Sequence, residues 1–260
     1  MLKITPIPAF SDNYIWIIAN TDNSEAFLVD PGDGKVALNA LDAANLTIAG
    51  VLVTHHHPDH VGGLDLILSR SSKIPIYGPN NPTIKQITHC LSHADTVSVF
   101  GFEFTVMEIP GHTLDHIAYY CGDYSEEPIL FCGDTLFAGG CGRIFEGDPA
   151  MMCESLLSLR SLHEKTQIYC AHEYTLSNLD FALAVEPDNI QLNKRIAFDR
   201  QRRIDDKPTV PSTMELELAT NPFLRCDNIT VIEAVQDRLS RDESEQRHIF
   251  AAVRAWKDNF

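Results

Sequence analysis

The chain has 260 residues, and its 20 Lys and Arg against 36 Asp and Glu leave a formal net charge of −16 at pH 7. This acidic balance excludes a general binder of nucleic acid or of an anionic membrane surface, because both need a broad positive field. The seven cysteines are scattered and never in C-x-x-C spacing, which favours reduced thiols in a cytoplasmic protein. The sequence predicts neither a signal peptide nor a membrane-spanning segment.

Residues 1–173 show alternating strand and helix patterns. Apolar residues at helical spacing predict helices over 35–46, 61–70 and 149–162. Residues 97–109 alternate around Gly101, as a hairpin does. Short apolar runs rich in β-branched and aromatic residues predict strands over 14–20, 25–30, 49–54, 74–79, 116–122, 128–134 and 167–172. Helices that flank strands in hairpin-like order favour a four-layer αββα sandwich over a doubly wound parallel sheet.

The chain changes character after residue 173. A length of 260 residues exceeds the commonest domain size, so one large domain or two unequal domains are expected. Helix-patterned segments separated by Pro and Asn cover 176–187, 189–206, 230–240 and 243–260. We therefore predict an α/β domain over residues 1–173, followed by a small all-helical C-terminal domain over residues 174–260.

The segment VLVTHHHPDHVGG, residues 51–63, places four histidines and an aspartate directly after an apolar strand. Residues two apart in an extended chain share a face, so His55, His57 and Asp59 are expected to point the same way. His60 lies at the turn that follows, where its ring reaches the same cavity, and Asp59 is also placed to cap the next helix. Imidazole and carboxylate groups without a thiolate suit zinc, iron or manganese.

Three further segments place metal-competent side chains at strand ends. His112 lies in GHTLDH after the predicted hairpin, Asp134 lies in FCGDTLF at the end of a buried strand, and His172 lies in CAHEY after the last strand. A solvated loop of histidines does not explain this repeated placement. Four strand ends that carry the same kind of side chain predict one metal site that collects them.

Together these motifs resemble a known family. The pattern T-H-x-H-x-D-H, followed by G-H-T, G-D-T and A-H-E, resembles the metallo-β-lactamase-fold hydrolases. The segments GGCGRIFEG, NPFLR and VRAWKDNF are similar to a narrower group, the glyoxalase II enzymes, or hydroxyacylglutathione hydrolases. The similarity extends over nearly the whole chain, including the helical tail.

The resemblance implies a reaction and a metal centre. The implied substrate is S-D-lactoylglutathione, hydrolysed to D-lactate and glutathione in the second step of methylglyoxal detoxification. The implied cofactors are two divalent ions that share a bridging hydroxide, with zinc first and iron or manganese as alternatives. The implied ligands of the first ion are His55, His57 and His112, those of the second are Asp59, His60 and His172, and Asp134 bridges both.

The resemblance also implies roles beyond holding the ions. Asp59 and Asp134 are the implied catalytic residues, acting with the bridging hydroxide. Glutathione is anionic, so an acidic chain needs local basic groups to bind it. The implied substrate-binding residues, with the helical domain forming half of the cleft, are Arg143, Tyr174, Arg254 and Lys257.

Two positions depart from the family pattern. Position 115 is Asp, where relatives commonly have Gly, and it is expected either to support a metal-binding histidine or to be an exposed turn residue. Position 145 is Phe, where some relatives have a substrate-binding Tyr, so that contact is not carried over. His56 and His116 are expected to pack or to form outer hydrogen bonds, and Asp30 either to orient a ligand or to shape its turn.

Three classes of function are compared on this sequence. The first is a thioester hydrolase with two metal ions. The second is another reaction on the same scaffold. The D-H pair and the helical tail disfavour a β-lactamase, and Asp134, His172 and the tail disfavour a persulfide dioxygenase with a single iron. The third is a metal-stabilised binding module, which an open bridging position disfavours because structural zinc sites are usually closed. A monomer is expected in preference to a stable oligomer.

Overall fold

The computed structural model describes residues 2–124, 127–239 and 245–260 of the chain. Its strands are β1 (Leu2–Ala9), β2 (Asn13–Asn20), β3 (Glu25–Val29), β4 (Thr47–Leu52), β5 (Ile76–Pro79), β6 (His89–Leu91), β7 (Thr96–Val99), β8 (Phe102–Glu108), β9 (Ile117–Cys121), β10 (Ile129–Gly133), β11 (Leu136–Phe137), β12 (Gly140–Cys141), β13 (Gln167–Cys170) and β14 (Ser212–Thr213). Its helices are α1 (Gly34–Ala43), α2 (Pro58–Val61), α3 (Leu64–Arg70), α4 (Pro149–Arg160), α5 (Thr175–Val185), α6 (Ile190–Ile204), α7 (Met214–Thr220), α8 (Ile229–Val235) and α9 (Gln246–Asp258). Single 3₁₀ turns cover Pro222–Leu224 and Gln236–Arg238.

Two mixed sheets organise the molecule. The first has the strand order β1-β2-β3-β4-β5-β6, and the second has the order β14-β13-β10-β9-β8-β7. The first sheet is antiparallel from β1 to β3 and parallel from β3 to β6. In the second sheet only β10 and β13 run parallel. The helices that connect the parallel strands cover the outer faces, as crossover connections require.

Strand β2 shows how the layers are arranged, because its alternate residues belong to two cores. Tyr14, Trp16 and Ile18 pack between the two sheets. Ile15 and Ile17 face the other way and belong to the core that includes residues of α1 and α3. The strand is therefore buried on both faces, which explains its continuous apolar run. Helix α4 packs into the core of the second sheet, and the predicted αββα sandwich is confirmed.

The two sheets are joined directly at one edge. The indole Nε1 of Trp16 donates to the carbonyl of Cys170 at 2.9 Å, and the amide of Tyr14 donates to the carbonyl of Ala171 at 2.7 Å. Asn13 and His172 form an isolated antiparallel bridge next to these bonds. The start of β2 is thereby held against the end of β13, and the candidate metal-binding residues lie at this edge.

The first domain contains strands that the sequence did not predict, namely β1, β6, β11 and β12, and one predicted helix is divided. Strand β1 was not expected, because Pro6 and Pro8 lack the amide hydrogen that a strand donates; β1 tolerates them because it lies at the edge of its sheet. The predicted helix over 61–70 is two helices, divided at Gly62 and Gly63. A Cβ on Gly63 would collide with the carbonyl of Pro31, so the glycine lets two chain segments pass closely.

The C-terminal region is mostly helical, but the expectation of an all-helical unit is wrong in one detail. Strand β14 pairs with β13 and extends the second sheet. Helix α9 packs against α4 and contributes Phe250 and Val253 to the same hydrophobic cluster. Residues 240–244, which end one predicted helix and begin another, lie outside the described residues. None of the described helices is long and apolar enough to cross a membrane.

A buried ion pair links the C-terminal helices to the first domain. Arg195 of α6 donates from Nη2 to Glu217 Oε1 of α7 at 2.6 Å, and Glu217 is fully buried. The other Glu217 oxygen, Oε2, accepts from the amide of Gly139 at 2.8 Å and from Asn221 Nδ2 at 3.0 Å. Gly139 belongs to the turn between β11 and β12, so this carboxylate fixes a loop that begins beside Asp134.

We expect Arg195→Met to lower the free energy of unfolding by about 3–5 kcal/mol, because it leaves the Glu217 carboxylate buried without its cation. Equilibrium urea unfolding measures this change. Arg200→Met is the matched control, since Arg200 pairs with Asp180 on the surface of the same helical region, and its loss is expected to cost less than about 1 kcal/mol. Equal effects of the two substitutions would contradict the importance of the buried pair.

Candidate metal centre

The chain brings seven metal-competent side chains together at the edge where the sheets meet. They come from the segment after β4, from the loop between β8 and β9, and from the ends of β10 and β13. They fall into groups whose candidate ligand atoms lie within 4.8 Å of one another. The groups are His55, His57 and His112; Asp59, His60 and His172; and His55, His60 and Asp134.

The first group consists of three imidazoles. His112 Nε2 lies 3.0 Å from His57 Nδ1. His112 Nδ1 lies 2.7 Å from the carbonyl of Arg143 and donates to it, which leaves the lone pair of Nε2 facing the group. His55 is fully buried, and its Nε2 has no hydrogen-bond partner among the described residues. A buried nitrogen without a partner is costly, and a bound cation would satisfy it.

The second group combines two imidazoles with a carboxylate. Asp59 Oδ2 lies 3.5 Å from His60 Nε2 and 3.4 Å from His172 Nε2. The same oxygen accepts a hydrogen bond from Asn13 Nδ2 at 2.8 Å. Asn13 begins β2, so the first sheet helps to orient this carboxylate.

Asp134 lies between the two groups. Its Oδ1 is 3.5 Å from His60 Nε2, and its Oδ2 is 3.2 Å from His172 Nε2 and 3.5 Å from His112 Nε2. Oδ1 is buried and has no hydrogen-bond partner in the described part of the chain. The carboxylate therefore presents one oxygen or the other to histidines of both groups.

Asp59 reaches the centre from a helix and not from an extended segment. Strand β4 ends at Leu52, and α2 begins at Pro58, where the fixed φ of proline suits the first helical position. Asp59 lies in the first turn of α2, and His57 occupies the capping position without a side-chain hydrogen bond. The expectations that Asp59 caps the next helix and continues an extended alternation are therefore wrong.

Outer carboxylates lie against the ring nitrogens of two candidate ligands. Asp12 Oδ1 lies 2.8 Å from His172 Nδ1, and Asp30 Oδ2 lies 3.0 Å from His60 Nδ1. Asp30 is itself held by the amide and the hydroxyl of Thr54 at 2.8 and 2.7 Å. Such contacts select the tautomer and aim the opposite nitrogen at the centre. Asp12 was missed from the sequence, since its partner lies 160 residues away and no local motif marks it.

The pKa values of His55 and Asp134 are shifted in directions that favour a bound cation. Burial lowers the pKa of His55 well below its ordinary value, and His60 lowers it further. Burial acts to raise the pKa of Asp134, but His60 and His172 outweigh it and hold that pKa well below the ordinary range. Burial acts to lower the pKa of His172, but hydrogen bonds to Asp134 and then Asp59 raise it to about 10. A cation bound here must displace protons from such histidines.

A cavity of about 470 Å³ opens onto the centre. Among the described residues, its lining consists of His57, Asp59, His112, Asp134, Phe137, Arg143, Phe145, His172 and Tyr174. Arg143 and Tyr174 are thus brought to the centre. Tyr174 stacks on His172, with ring centroids 4.7 Å apart, and the exposed Phe145 packs edge-on against His57. A larger cavity of about 750 Å³ lies among the C-terminal helices and is lined by other residues.

Arg254 and Lys257 lie outside the described lining of this cavity. Arg254 is only 6% exposed, and its Nη1 donates to the carbonyl of Cys141 at 3.2 Å. Its Nη2 donates to Asp258 Oδ1 at 2.9 Å, and that oxygen also lies 3.9 Å from Arg143 Nε. Lys257 Nζ donates to the carbonyl of Ser177 at 3.3 Å. Arg254 therefore adjoins Arg143 through the shared Asp258 carboxylate, whereas Lys257 contacts α5.

Comparison with known proteins identifies the family. The model described as hydroxyacylglutathione hydrolase C-terminus matches residues 173–260, and that of the metallo-beta-lactamase superfamily matches residues 9–172. The hydroxyacylglutathione hydrolase of Hahella chejuensis is 48% identical over 260 residues, which cover 100% of both chains. The chain belongs to the hydroxyacylglutathione hydrolase family. The expected hydrolase of the glyoxalase II type, with a metallo-β-lactamase fold, is confirmed, and its His and Asp groups indicate divalent metal binding.

Solved structures extend the comparison beyond the hydroxyacylglutathione hydrolase family. ETHE1 from Myxococcus xanthus superposes with a TM-score of 0.64 at 24% identity, over 99% of this chain and 98% of that one. This likeness shows the fold alone. A crystal structure of TTHA1623 in a di-iron-bound form has a TM-score of 0.54 at 26% identity, over 65% of this chain and 91% of that one.

Gly133 and His116 determine where Asp134 lies. Gly133 has a φ of +47°, and a Cβ there would collide with Thr54 Oγ1 and lie 2.8 Å from His116 Nε2. His116 Nε2 accepts a hydrogen bond from the Asp134 amide at 3.0 Å, and its ring stacks on His55 with centroids 4.6 Å apart. Burial lowers the pKa of His116 to about 3, which keeps this acceptor neutral. His116 packs in the core, as predicted.

We expect Gly133→Ala to reduce the metal bound per chain after reconstitution, because the new methyl group pushes the Asp134 backbone away from Thr54 and His116. Elemental analysis of dialysed protein measures the bound metal. Gly101→Ala is the matched control: Gly101 also has a positive φ, +86°, but no described atom lies within 4 Å of its added Cβ. The control should keep wild-type metal content and lose about 1 kcal/mol of stability. Full metal binding by Gly133→Ala would contradict this account.

Proposed function

We propose that the protein hydrolyses S-D-lactoylglutathione to D-lactate and glutathione at a centre of two divalent ions. The names of the full-length relatives support this reaction, since hydroxyacylglutathione hydrolases from Hahella chejuensis and Shewanella baltica are 48% and 47% identical to the chain. The observation that carries the two-ion assignment is the buried Asp134 carboxylate between two groups of candidate ligands.

The residues present fit two ions. The first would be held by His55, His57 and His112, the second by Asp59, His60 and His172, and Asp134 would help to hold both. All the candidate ligand atoms are nitrogen or oxygen, which suits zinc, with iron or manganese as alternatives. The di-iron-bound form of TTHA1623 supports two ions on this scaffold. The unpartnered buried atoms His55 Nε2 and Asp134 Oδ1 support a cation beside them.

The chain's own residues prepare the reaction. When bound, a pair of divalent ions makes a water acidic enough to ionise near neutral pH and polarises a carbonyl oxygen. Asp134 and Asp59 are the proposed catalytic residues, because both line the cavity beside the candidate ligands. A thiol is far more acidic than an amine, so the glutathione leaving group departs as a thiolate without a separate acid. We therefore assign no general acid.

Basic and hydroxyl groups on one side of the cavity are proposed to bind the glutathione part. Arg143 and Tyr174 line the cavity, and a guanidinium can hold a carboxylate by two hydrogen bonds. Burial, and then the nearby Arg254, lowers the pKa of Lys257, so an anion placed there would relieve an unfavourable charge environment. Arg254 is proposed to act together with Lys257, one turn apart on α9. In this proposal residues 1–173 form the catalytic domain and residues 174–260 the substrate-binding domain.

The central experiment is hydrolysis of S-D-lactoylglutathione, followed as loss of thioester absorbance. Fast turnover is expected, with loss of activity after chelation and recovery when zinc, iron or manganese is added back. Metal-loaded protein without turnover would contradict the proposed substrate while leaving the family and the fold in place. Oxygen uptake with glutathione persulfide, a property of the single-iron alternative, is expected to be absent.

We expect Arg143→Ala and Lys257→Ala each to raise KM about tenfold, a loss of about 1.4 kcal/mol, with little change in kcat. The reason is that both groups lie away from the reacting thioester carbonyl. Initial rates over a range of substrate concentrations measure both constants. Arg200→Ala removes an equal charge from a surface pair on α6 and should leave KM unchanged. An unchanged KM in both test variants would place the glutathione site elsewhere.

Two properties stay predictions at this point. The acidic balance and the scattered cysteines support a cytoplasmic protein with reduced thiols, and six of the seven cysteines are buried as free thiols. A monomeric state is the simpler expectation, because the proposed site is built entirely within one chain.

A further inference from the structure

A cluster beside the centre is not used by the proposed reaction. Asp115 Oδ1 accepts from Thr113 Oγ1 at 2.7 Å and lies 2.9 Å from His56 Nδ1. Asp115 Oδ2 accepts from Asn81 Nδ2 at 2.7 Å. His56 Nε2 in turn lies 3.3 Å from Glu146 Oε1. One half-buried carboxylate therefore connects the segment after β4, the segment after β5 and the loop between β8 and β9.

Two of the residues that Asp115 contacts are adjacent in sequence to ligands of the first candidate group. None of the described residues that it contacts is adjacent to a ligand of the second group. His56 lies between His55 and His57 in the sequence, and Thr113 directly follows His112. All three histidines of the first group are thus one peptide bond from a residue that Asp115 holds. The second group is oriented differently, because Asp12 and Asn13 contact His172 and Asp59 there.

The cluster resembles a metal site in outline, but its bonding favours a structural role. Ligand atoms of His56, Asp115 and Glu146 lie within 4.8 Å of one another. Both Asp115 oxygens, however, already accept from protein donors, and Glu146 Oε2 accepts from the amide of Leu114 at 2.8 Å. A carboxylate is needed for this pattern, since an asparagine would offer one acceptor oxygen and turn a second donor toward Asn81 or His56.

We propose that Asp115 is a positioning residue that clamps the two loops carrying His55, His57 and His112 and thereby sets the affinity of the first metal position. This inference rests on the proposed function, since it assumes that those histidines bind metal. Outer contacts of this kind typically change metal affinity by about 10–100-fold.

The test is zinc affinity, measured by competition with a chromophoric chelator, for wild-type protein and for Asp115→Asn. We expect one of two zinc equivalents to bind about 10–100-fold more weakly and the other to bind as in the wild type. Asp42→Asn is the matched control, because it removes a carboxylate from an exposed pair with Arg70 on the far side of α1. Asp115→Gly serves as a second variant if the asparagine form does not fold.

Two backgrounds assign the weakened equivalent to a position. In a His172→Ala background, which removes a candidate ligand of the second group, Asp115→Asn should still weaken the remaining equivalent. In a His57→Ala background it should have no effect. Hydrolysis by Asp115→Asn should recover at saturating zinc with an unchanged KM.

Some outcomes would overturn the clamp. Wild-type affinities in Asp115→Asn would do so, and so would equal weakening of both equivalents together with a lower unfolding midpoint of the metal-free protein, which would mark a general structural defect. The proposed substrate is judged separately, by turnover of the wild-type protein, so zinc affinities that follow the expected pattern without hydrolysis would support the clamp and reject the substrate.

Discussion

The molecule depends on one buried carboxylate. Asp134 is 5% exposed and lies among the rings of His60, His112 and His172, where an ionised group is stable only if positive charge surrounds it. The fold supplies that surrounding by ending β4, β10 and β13 at one edge, together with the loop after β8. The left-handed backbone at Gly133 and the neutral acceptor His116 then turn the carboxylate inward. The candidate metal ligands all lie around that turn.

The candidate metal ligands are held in place by a second set of residues behind them, and these residues come from different parts of the fold. The inward nitrogens of the histidines are aimed by acceptors behind them, such as Asp12, Asp30 and the Arg143 carbonyl. Asp30 is held in turn by the amide and the hydroxyl of Thr54. Precise orientation at the centre is therefore distributed over both sheets, which explains why the sheets are joined by direct hydrogen bonds at this edge.

The C-terminal helices hold the chain segment that leads from Asp134 to Arg143, which lines the cavity. Glu217 accepts from the amide of Gly139, and Arg254 donates to the carbonyl of Cys141. Both contacts hold the segment that runs from Asp134 to Arg143. The helices thus connect the metal centre to the basic groups proposed to bind glutathione, and the buried pair of Arg195 and Glu217 is the anchor of that connection.

The sequence by itself determined the αββα class, most of the central strands and the identity of the candidate metal-binding side chains. It could do so because apolar periodicity and strand-end histidines are local patterns. Tertiary structure alone decided that Asp59 acts from a helical turn, that Asp12 supports a histidine 160 residues away, and that Ser212–Thr213 joins the second sheet. It also decided that Arg254 is buried outside the described lining of the cavity, whereas Arg143 belongs to that lining. These features depend on which distant surfaces pack together, and the free energy of that packing leaves no local signature in the chain.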